Sequence, residues 1–290
     1  MVCRALRIVS AVVAVVVALL AWPSPAHAGA NSDVRARADV EAGISATMAG
    51  QYDKAIAIFT RIIAAHPNAD GAYYNRGIAY ARKHDWQHAV ADDTKAIELT
   101  PNDPDAYLGR ALAWANLGDA DHALADFNKA ITLSPRDPQL YAQRGIVRDD
   151  KEDFAGAVAD YSKAIALDPK TAEAYCRRGM DEGQTGDTKK ALADFNIYVR
   201  MMPKDPVGYV CRSVVYQAVG NTKAALADLT RAIALDPSDP DILVRRAKAF
   251  EDAGNKAKAL ADINRALRLD PHNADAVSER RRILGVTGES

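Results

Sequence analysis

Several features on which common folds depend are scarce in this 290-residue sequence. Aromatic residues make up only 7% of it, whereas alanine is frequent throughout. No run of alternating apolar and polar residues bounded by turns predicts a β-strand. Alanine is the best helix former, and its small side chain lets neighbouring helices approach closely. The composition therefore predicts an all-α fold.

The chain also lacks any cluster of charges of one sign. The formal net charge is −1, and basic and acidic residues are interspersed along every segment. A nucleic-acid partner would require clustered lysine and arginine to neutralise its phosphates. We therefore expect no nucleic-acid partner.

The apolar run at the N-terminus is short for a membrane span. Arg4 and Arg7 precede an apolar stretch from Ile8 to Trp22, and a small-x-small sequence, Ala26-His27-Ala28, follows it. This layout predicts a secretory signal peptide over residues 1–28, with cleavage after Ala28. A permanent transmembrane helix needs about 20 residues. We therefore expect the mature chain outside the cytoplasm, and the alternative is an uncleaved segment that keeps it at the membrane.

Proline recurs at a fixed interval along the rest of the chain. Seven prolines each lie 34 residues from the next: Pro67, Pro101, Pro135, Pro169, Pro203, Pro237 and Pro271. A fixed period in this range is typical of repeat architectures. Units that end two residues after these prolines are 36–69, 70–103, 104–137, 138–171, 172–205, 206–239 and 240–273.

Two places hold a small residue in every unit. The twentieth place is always alanine: Ala55, Ala89, Ala123, Ala157, Ala191, Ala225 and Ala259. The eighth place is glycine, alanine or serine: Gly43, Gly77, Ala111, Gly145, Gly179, Ser213 and Ala247. A larger side chain in either place would push two helices apart. We therefore expect the two places to face each other across a helical hairpin.

The third unit shows how one hairpin is encoded. Asp103 can cap a helix whose first residue is Pro104, where the missing N–H is not needed. Gly118 and Asp119 then form a turn, and Pro135 ends the second helix. The second helix carries apolar residues on one face, at Ala123, Leu124, Phe127, Ala130 and Ile131. The unit therefore predicts two helices joined by a tight turn.

The combined pattern resembles the tetratricopeptide repeat over residues 36–273. The resemblance rests on the 34-residue period, the small residues in the eighth and twentieth places, the closing proline, and an aromatic residue in the twenty-fourth place at Phe59, Phe127, Tyr161 and Phe195. It implies an all-α, right-handed superhelical solenoid of seven helix–turn–helix repeats. Resemblance to secreted bacterial repeat proteins further implies a periplasmic location, or an N-terminal anchor facing the periplasm. Local departures are His84 and Glu152 in place of a turn glycine, and Asp93 in place of the aromatic residue.

Two segments flank the repeats. Residues 29–35 are expected to form a flexible lead. Residues 274–290 are expected to form a capping helix and a tail. Arg280, Arg281 and Arg282 give that helix a polar face, which a terminal repeat needs for solubility.

Arginine and aspartate form a second regular pattern. Arginine fills the seventh place at Arg76, Arg110, Arg144, Arg178, Arg212 and Arg246, and aspartate the twenty-third at Asp92, Asp126, Asp160, Asp194, Asp228 and Asp262. These residues could line a charged groove or pair across each hairpin. Because every arginine has its own aspartate, we favour pairing within the hairpins.

No arrangement of residues predicts catalysis or metal binding. The segment from His84 to His88 resembles the H-E-x-x-H zinc motif only superficially, because His84 falls in a turn and the acid is Asp85. No histidine has a placed partner of the nucleophilic type. We therefore expect no enzyme activity, no metal and no cofactor.

Cys176 and Cys211 are the cysteines that remain after cleavage. They fall on neighbouring helices, whose axes pack about 8–10 Å apart. A disulfide needs Cα atoms within about 7 Å. The spacing therefore favours two free thiols.

The resemblance implies a binding groove lined by the first helix of each repeat. Its expected lining residues are Tyr74, Asn75, Ile78, Arg82, Leu108, Leu112, Asn116, Gln143, Ile146, Arg177, Met180, Gln184, Val210, Val214, Gln217, Arg245 and Lys248. A mixed apolar and polar wall suits an extended or helical peptide. The expected function is a non-catalytic scaffold in the cell envelope that binds a protein or peptide partner. The alternatives are a membrane-tethered assembly subunit and, less favoured, a metal-dependent factor or enzyme.

Overall fold

A computed structural model describes residues 34–285, with side chains from residue 37 onward. All fifteen elements in this range are α-helices, which confirms the predicted all-α repeat solenoid. The predicted signal peptide and residues 29–33 of the expected lead lie outside the described residues. The first helix begins at Val34, so the last two residues of that lead are helical. No helix within residues 34–285 has both the length and the apolar character needed to cross a bilayer.

The described residues form two compact units, 34–168 and 169–285. The N-terminal unit contains α1 Val34–Met48, α2 Tyr52–Ala65, α3 Asp70–Arg82, α4 Trp86–Leu99, α5 Pro104–Asn116, α6 Ala120–Leu133, α7 Pro138–Asp150 and α8 Phe154–Leu167. The C-terminal unit contains α9 Ala172–Gln184, α10 Thr188–Met201, α11 Pro206–Ala218, α12 Thr222–Leu235, α13 Pro240–Asp252, α14 Lys256–Leu269 and α15 Ala274–Leu284. Within each unit, successive helices form hairpins, and the second helix of one hairpin packs on the first helix of the next.

Aspartate side chains fix the starts of the helices. Asp103 accepts a hydrogen bond from the backbone N–H of Asp105 at 3.0 Å, and Pro104 occupies the first position of α5. Asp119 accepts from the backbone N–H of His122 at 3.2 Å and so caps α6. Each cap satisfies a backbone donor that has no partner inside its own helix. The repeated Asp-Pro and Gly-Asp pairs therefore set where the hairpins begin and turn.

Aromatic rings fill the centres of most hairpins. Phe59 and Tyr161 are fully buried. A Cβ built on Gly43 would lie 2.6 Å from the Phe59 ring, and one on Gly145 would lie 2.7 Å from the Tyr161 ring. The small residue of the eighth place therefore faces the ring of the twenty-fourth place. In the second unit the eighth place also meets the twentieth, as expected, because a Cβ built on Gly77 would lie 3.5 Å from the backbone oxygen of Ala89.

The arginine and aspartate residues pair across every hairpin in which they were predicted. Arg144 donates to Asp160 through Nε at 2.9 Å and through Nη2 at 2.6 Å. The same two-bond geometry joins Arg76 to Asp92, Arg110 to Asp126, Arg178 to Asp194, Arg212 to Asp228 and Arg246 to Asp262. Two parallel bonds to one carboxylate fix both side chains. Pairing within hairpins is therefore confirmed.

The third nitrogen of these arginines reaches the preceding hairpin. Arg76 Nη1 donates to Thr60 Oγ1 of α2 at 2.9 Å. In the C-terminal unit, Arg212 Nη1 donates to Asn196 Oδ1 of α10 at 2.8 Å. Each such arginine therefore ties its own hairpin to the one before it.

The turn inside the third hairpin requires a left-handed backbone. Gly118 has a φ of 81°, and a Cβ built on it would meet no atom within 4 Å. We expect Gly118→Ala to lower the free energy of unfolding by about 1 kcal/mol, because an alanine in this conformation is strained and gains no contact. Urea denaturation of the two proteins measures the difference. His84 and Glu152 have the same left-handed backbone, with φ of 61° and 64°. Because glycine adopts this conformation without strain, Glu152→Gly should raise the free energy of unfolding.

Both described cysteines are free thiols, as predicted. Cys176 and Cys211 are buried in one apolar cluster with Phe195 and Tyr198. The hydrogen bond with Cys211, together with burial, raises the pKa of the Cys176 thiol well above its usual range. The Cys176 thiol therefore ionises less readily than an exposed cysteine.

Candidate functional site

The surface of the first helices is the candidate site in each unit. The predicted lining residues lie on the first helices α3, α5 and α7 in the N-terminal unit and α9, α11 and α13 in the C-terminal unit. We call this surface the first-helix face. The seventeen residues predicted to line it divide into two groups by burial.

Six of the predicted residues are buried and do not form the surface: Tyr74, Asn75, Leu108, Arg177, Val210 and Val214. Tyr74, Leu108 and Val210 occupy the fifth place of their units, where the side chain packs inside the helix layers. Asn75 donates to the backbone oxygen of Gly71 at 2.7 Å. These side chains expose little area to a partner, and their place in the groove stays a prediction.

The other eleven residues are half-buried and remain candidates for contact with a partner: Ile78, Arg82, Leu112, Asn116, Gln143, Ile146, Met180, Gln184, Gln217, Arg245 and Lys248. In the N-terminal unit, the ninth place is apolar in three successive hairpins, at Ile78, Leu112 and Ile146. Arg82, Asn116 and Gln143 lie beside this row on the same helices. The row combines apolar contact area with polar groups at intervals, as a peptide-binding wall requires.

Several polar residues of the C-terminal unit are held by neighbours. Gln217 Nε2 donates to Asp252 at 3.1 Å, and Lys248 Nζ lies 3.2 Å from the carboxylate of Glu279 on α15. These contacts reduce the freedom of both side chains. The row of apolar residues in the N-terminal unit is therefore the clearer candidate for a binding surface.

Asp93 was identified in the sequence as a departure from the repeat but not as a site residue. It lies on α4 between Gly77 of α3 and Gly109 of α5 and is only 3% exposed. Its Oδ1 atom accepts no hydrogen bond. Burial, and next the neighbouring charge of Asp92, raise the pKa of the Asp93 carboxyl well above its usual range. The sequence signal for this site is the coincidence of an acid in the twenty-fourth place with a glycine in the sixth place of the next unit.

Asp93 and the acids of α5 also act on a nearby phenol. Burial is the main cause that raises the pKa of Tyr74, and the charges of Asp105, Asp93 and Asp103 raise it further. The surroundings of Asp93 therefore carry an excess of acidic groups.

A second buried acid lies in the C-terminal unit. Glu182 of α9 is 5% exposed, and burial raises its pKa to about 7. The charge of Asp194 raises this pKa further, whereas that of Arg178 lowers it. Glu182 therefore changes its charge near neutral pH.

The histidines around the first turn of α4 serve local structure. His84 lies in the turn, and its ring meets that of Trp86 edge to face at 5.4 Å. His88 lies in α4 with Nδ1 2.8 Å from Asp85, and its ring stacks on Tyr80 at 4.8 Å. Within residues 34–285, no three histidine, cysteine, aspartate or glutamate residues are arranged to hold a metal ion.

Three solved structures share the fold of this chain. The APC/C hetero-tetramer Cut9-Hcn1 has a TM-score of 0.63 at 18% identity, over 88% of this chain and 49% of that chain, so this chain spans about half its length. PilW, a widely conserved type IV pilus biogenesis factor, has a TM-score of 0.65 at 19% identity, over 73% of this chain and 98% of that chain. YrrB, a TPR protein with an unusual peptide-binding site, has a TM-score of 0.57 at 22% identity, over 65% and 97%. At these identities the likeness is one of fold.

Sequence comparison identifies the repeat directly. No curated protein matches the chain at a significant level. The family profile described as tetratricopeptide repeat matches residues 40–104, 84–138 and 213–274, and one described as TPR repeat matches residues 150–180. The first profile alone covers more than half of the sequence, and the helical hairpins follow the same 34-residue period, so the chain belongs to the tetratricopeptide repeat family.

Proposed function

We propose that this chain is a non-catalytic interaction scaffold that binds a protein or peptide segment along the first-helix face. The observation that carries this proposal is the row formed by Ile78, Leu112 and Ile146 on three successive hairpins. Each of these side chains is half-buried, so each is held by its own hairpin and still offers apolar area to a ligand. Within each unit, the half-buried residues of its own first-helix face are the proposed contact set.

We propose that the chain meets its partner in the cell envelope. Residues 1–28 have the layout of a secretory signal, which would deliver the chain to the periplasm. PilW, which shares the fold, is a pilus biogenesis factor, and YrrB has a peptide-binding site. The likeness to PilW and to YrrB supports a scaffold that holds a protein partner.

A membrane-tethered assembly subunit is the second candidate, favoured by the apolar stretch from Ile8 to Trp22. Sequencing the N-terminus of the protein purified from cells distinguishes the two. A mature chain that begins at Gly29 supports the periplasmic scaffold, whereas a chain that retains residues 1–28 supports the tethered subunit.

Site-specific photo-crosslinking in cells tests the proposed face. We expect a photoreactive amino acid at Ile78, Leu112 or Ile146 to give the same adduct, because all three side chains would contact one extended ligand. Lys129 on the exposed side of α6 is the matched control position and should give none. Leu112→Ala should then weaken binding of the captured partner about tenfold or more, as truncation of a central interface residue does. Adducts that are equal at Lys129 and at the three face positions would contradict the proposal.

A further inference from the structure

We propose that α15 and the adjoining part of α14 form a docking site for an acidic amphipathic helix of a partner protein. We call this site the α15 groove and define it by Leu267 of α14 and by Val277, Arg280, Arg281 and Leu284 of α15. The groove has a volume of about 280 Å³ and lies within the C-terminal unit. It contains none of the residues predicted to line the first-helix face, so this inference goes beyond the proposed function.

α15 is built as the first helix of an eighth hairpin. Asn273 accepts a hydrogen bond from the backbone N–H of Ala276 at 2.8 Å and so caps α15, as Asp239 caps α13 one period earlier. Ala276 is fully buried, like Ala106 in the same place of the third repeat. α15 also packs on α14, as other first helices pack on the second helix before them. Within residues 34–285 no second helix follows α15, so the face that would meet one is open.

The eleventh place of the unit shows that this face is uncovered. Tyr80 and Trp114 hold this place in the second and third repeats, where each ring stacks on a histidine of its own second helix at 4.8 and 4.9 Å. Leu284 holds it in α15 and is 53% exposed. Leu267 and Val277 are half-buried and line the groove with it. An apolar surface bordered by polar residues is typical of an interaction site.

The charges of the groove indicate what covers it. Arg280 holds the seventh place, where the arginine of six hairpins donates two bonds to an aspartate of the second helix, as Arg246 does to Asp262 at 2.7 and 2.8 Å. Among residues 37–285, Arg280 and Arg281 form no ion pair, whereas Arg282 pairs with acids of α13 and α15. Both unpaired arginines are exposed. A helix that carries carboxylates would complement both of them.

Arg281 restricts which helices fit. It holds the eighth place, which is small in all seven repeats. A Cβ built on Gly145 in this place would already lie 2.7 Å from the ring of Tyr161 on the second helix. The long side chain of Arg281 therefore leaves no space for a ring at that point of a docked helix. An acid there would pair with the guanidinium, so the expected ligand has two adjacent acids, opposite Arg280 and Arg281, flanked by apolar residues.

Symmetric pairing with a second copy of this chain is less favourable. If two α15 grooves met across a two-fold axis, the arginines of one copy would lie against those of the other. Like charges brought together in a contact are repulsive. The charge of the groove therefore favours a separate acidic partner.

A helix of the chain itself supplies a defined probe. α4 carries adjacent acids, Asp92 and Asp93, in the twenty-third and twenty-fourth places. A labelled synthetic peptide with the sequence of residues 85–100 is titrated with the purified chain, and binding is followed by fluorescence anisotropy. We expect Arg280→Gln in the chain, or Asp92→Asn in the peptide, to weaken binding about tenfold, because each removes one partner of a charge pair.

Two measurements control for indirect effects. Arg136→Gln removes the same charge from an exposed position of the other unit and should leave the affinity unchanged. Thermal melts should show Arg280→Gln to be as stable as the wild type, because the arginine is exposed and forms no ion pair among residues 37–285.

A reversal of preference tests the role of Arg281. Asp93→Phe in the peptide restores the ring that most repeats have in this place, and it should weaken binding to the wild-type chain about tenfold. Arg281→Ala in the chain restores the small eighth place. This variant should therefore bind the phenylalanine peptide more tightly than the original peptide.

Three other results would overturn the proposal and leave the first-helix face unaffected. The first is failure of the peptide to bind, or equal affinity for the wild type and Arg280→Gln. The second is self-association of the chain in sedimentation equilibrium that Leu284→Asp abolishes, which would assign the groove to a second copy. The third is peptide binding that occurs only after removal of residues 286–290, which would assign the groove to the chain's own tail.

Discussion

Asp160→Ala is expected to lower the free energy of unfolding by about 3–5 kcal/mol. The carboxylate of Asp160 is only 4% exposed and accepts hydrogen bonds from Arg144 at 2.6 and 2.9 Å and from Arg148 at 2.9 Å. Its removal leaves two guanidinium groups without their acceptor in a largely buried site. Urea denaturation followed by circular dichroism at 222 nm, a wavelength that reports helix content, measures the loss.

Two further variants show how much of the destabilisation comes from leaving a buried charge unpaired and how much from losing the attraction between the two charges. Asp121 is 85% exposed and pairs with Lys151 at the surface, so Asp121→Ala should cost about 1 kcal/mol or less. The double variant Arg144→Met with Asp160→Leu removes both charges and should recover much of the stability lost in Asp160→Ala. If Asp160→Ala and Asp121→Ala lowered the free energy of unfolding equally, the buried pair would contribute no more to stability than the surface pair.

Phe127→Ala is expected to cost about 3–5 kcal/mol, because it removes a fully buried ring and leaves a cavity. The ring belongs to a cluster that includes Leu108 of α5 and Leu140 of α7, so it joins two successive hairpins. In a repeat array each unit contacts only its neighbours, so the loss should be local. Hydrogen exchange should therefore quicken most in α5, α6 and α7, and less in α1 and α2.

Phe127→Leu is the matched control for this cavity. It keeps most of the apolar volume and should cost far less than the alanine variant. A uniform increase of hydrogen exchange over the whole N-terminal unit would contradict the nearest-neighbour description.

Much of the fold could be predicted from the sequence, because the same residue types recur at the same packing positions in every hairpin. Asp103, Pro104 and Gly118 act through their own backbone conformations, so their effect can be read without knowing any neighbour. The pairing of Arg144 with Asp160 was also predictable. A separation of 16 residues places the two side chains at the same height on antiparallel helices.

The surface was harder to predict than the fold. A period of 34 residues shows which residues share a place in the repeat, but not how far each first helix is rotated toward its neighbours. Tyr74, Leu108 and Val210 share the fifth place, and all three proved buried for this reason. Charge was misleading as well, because Arg177 is buried and pairs with Glu173 at 2.7 Å.

The packing of Asp93 against two glycines shows why the sequence alone left part of the structure unpredicted. Asp93 departs visibly from the repeat, but its meaning depends on Gly109, which lies 16 residues later on another helix. Glycine in the middle of a helix is unremarkable by itself. Only the position of its Cα against the carboxylate shows that the two changes belong together.

The bonds of the seventh-place arginines bear on how the chain is made in the cell. Arg76 takes one partner from Thr60, 16 residues earlier, and another from Asp92, 16 residues later. A polypeptide leaving the ribosome has therefore already presented the first partner when the arginine emerges, and it supplies the second within half a repeat. Each hairpin of the N-terminal unit can thus dock on the one before it whenever the chain folds in order from its N-terminus.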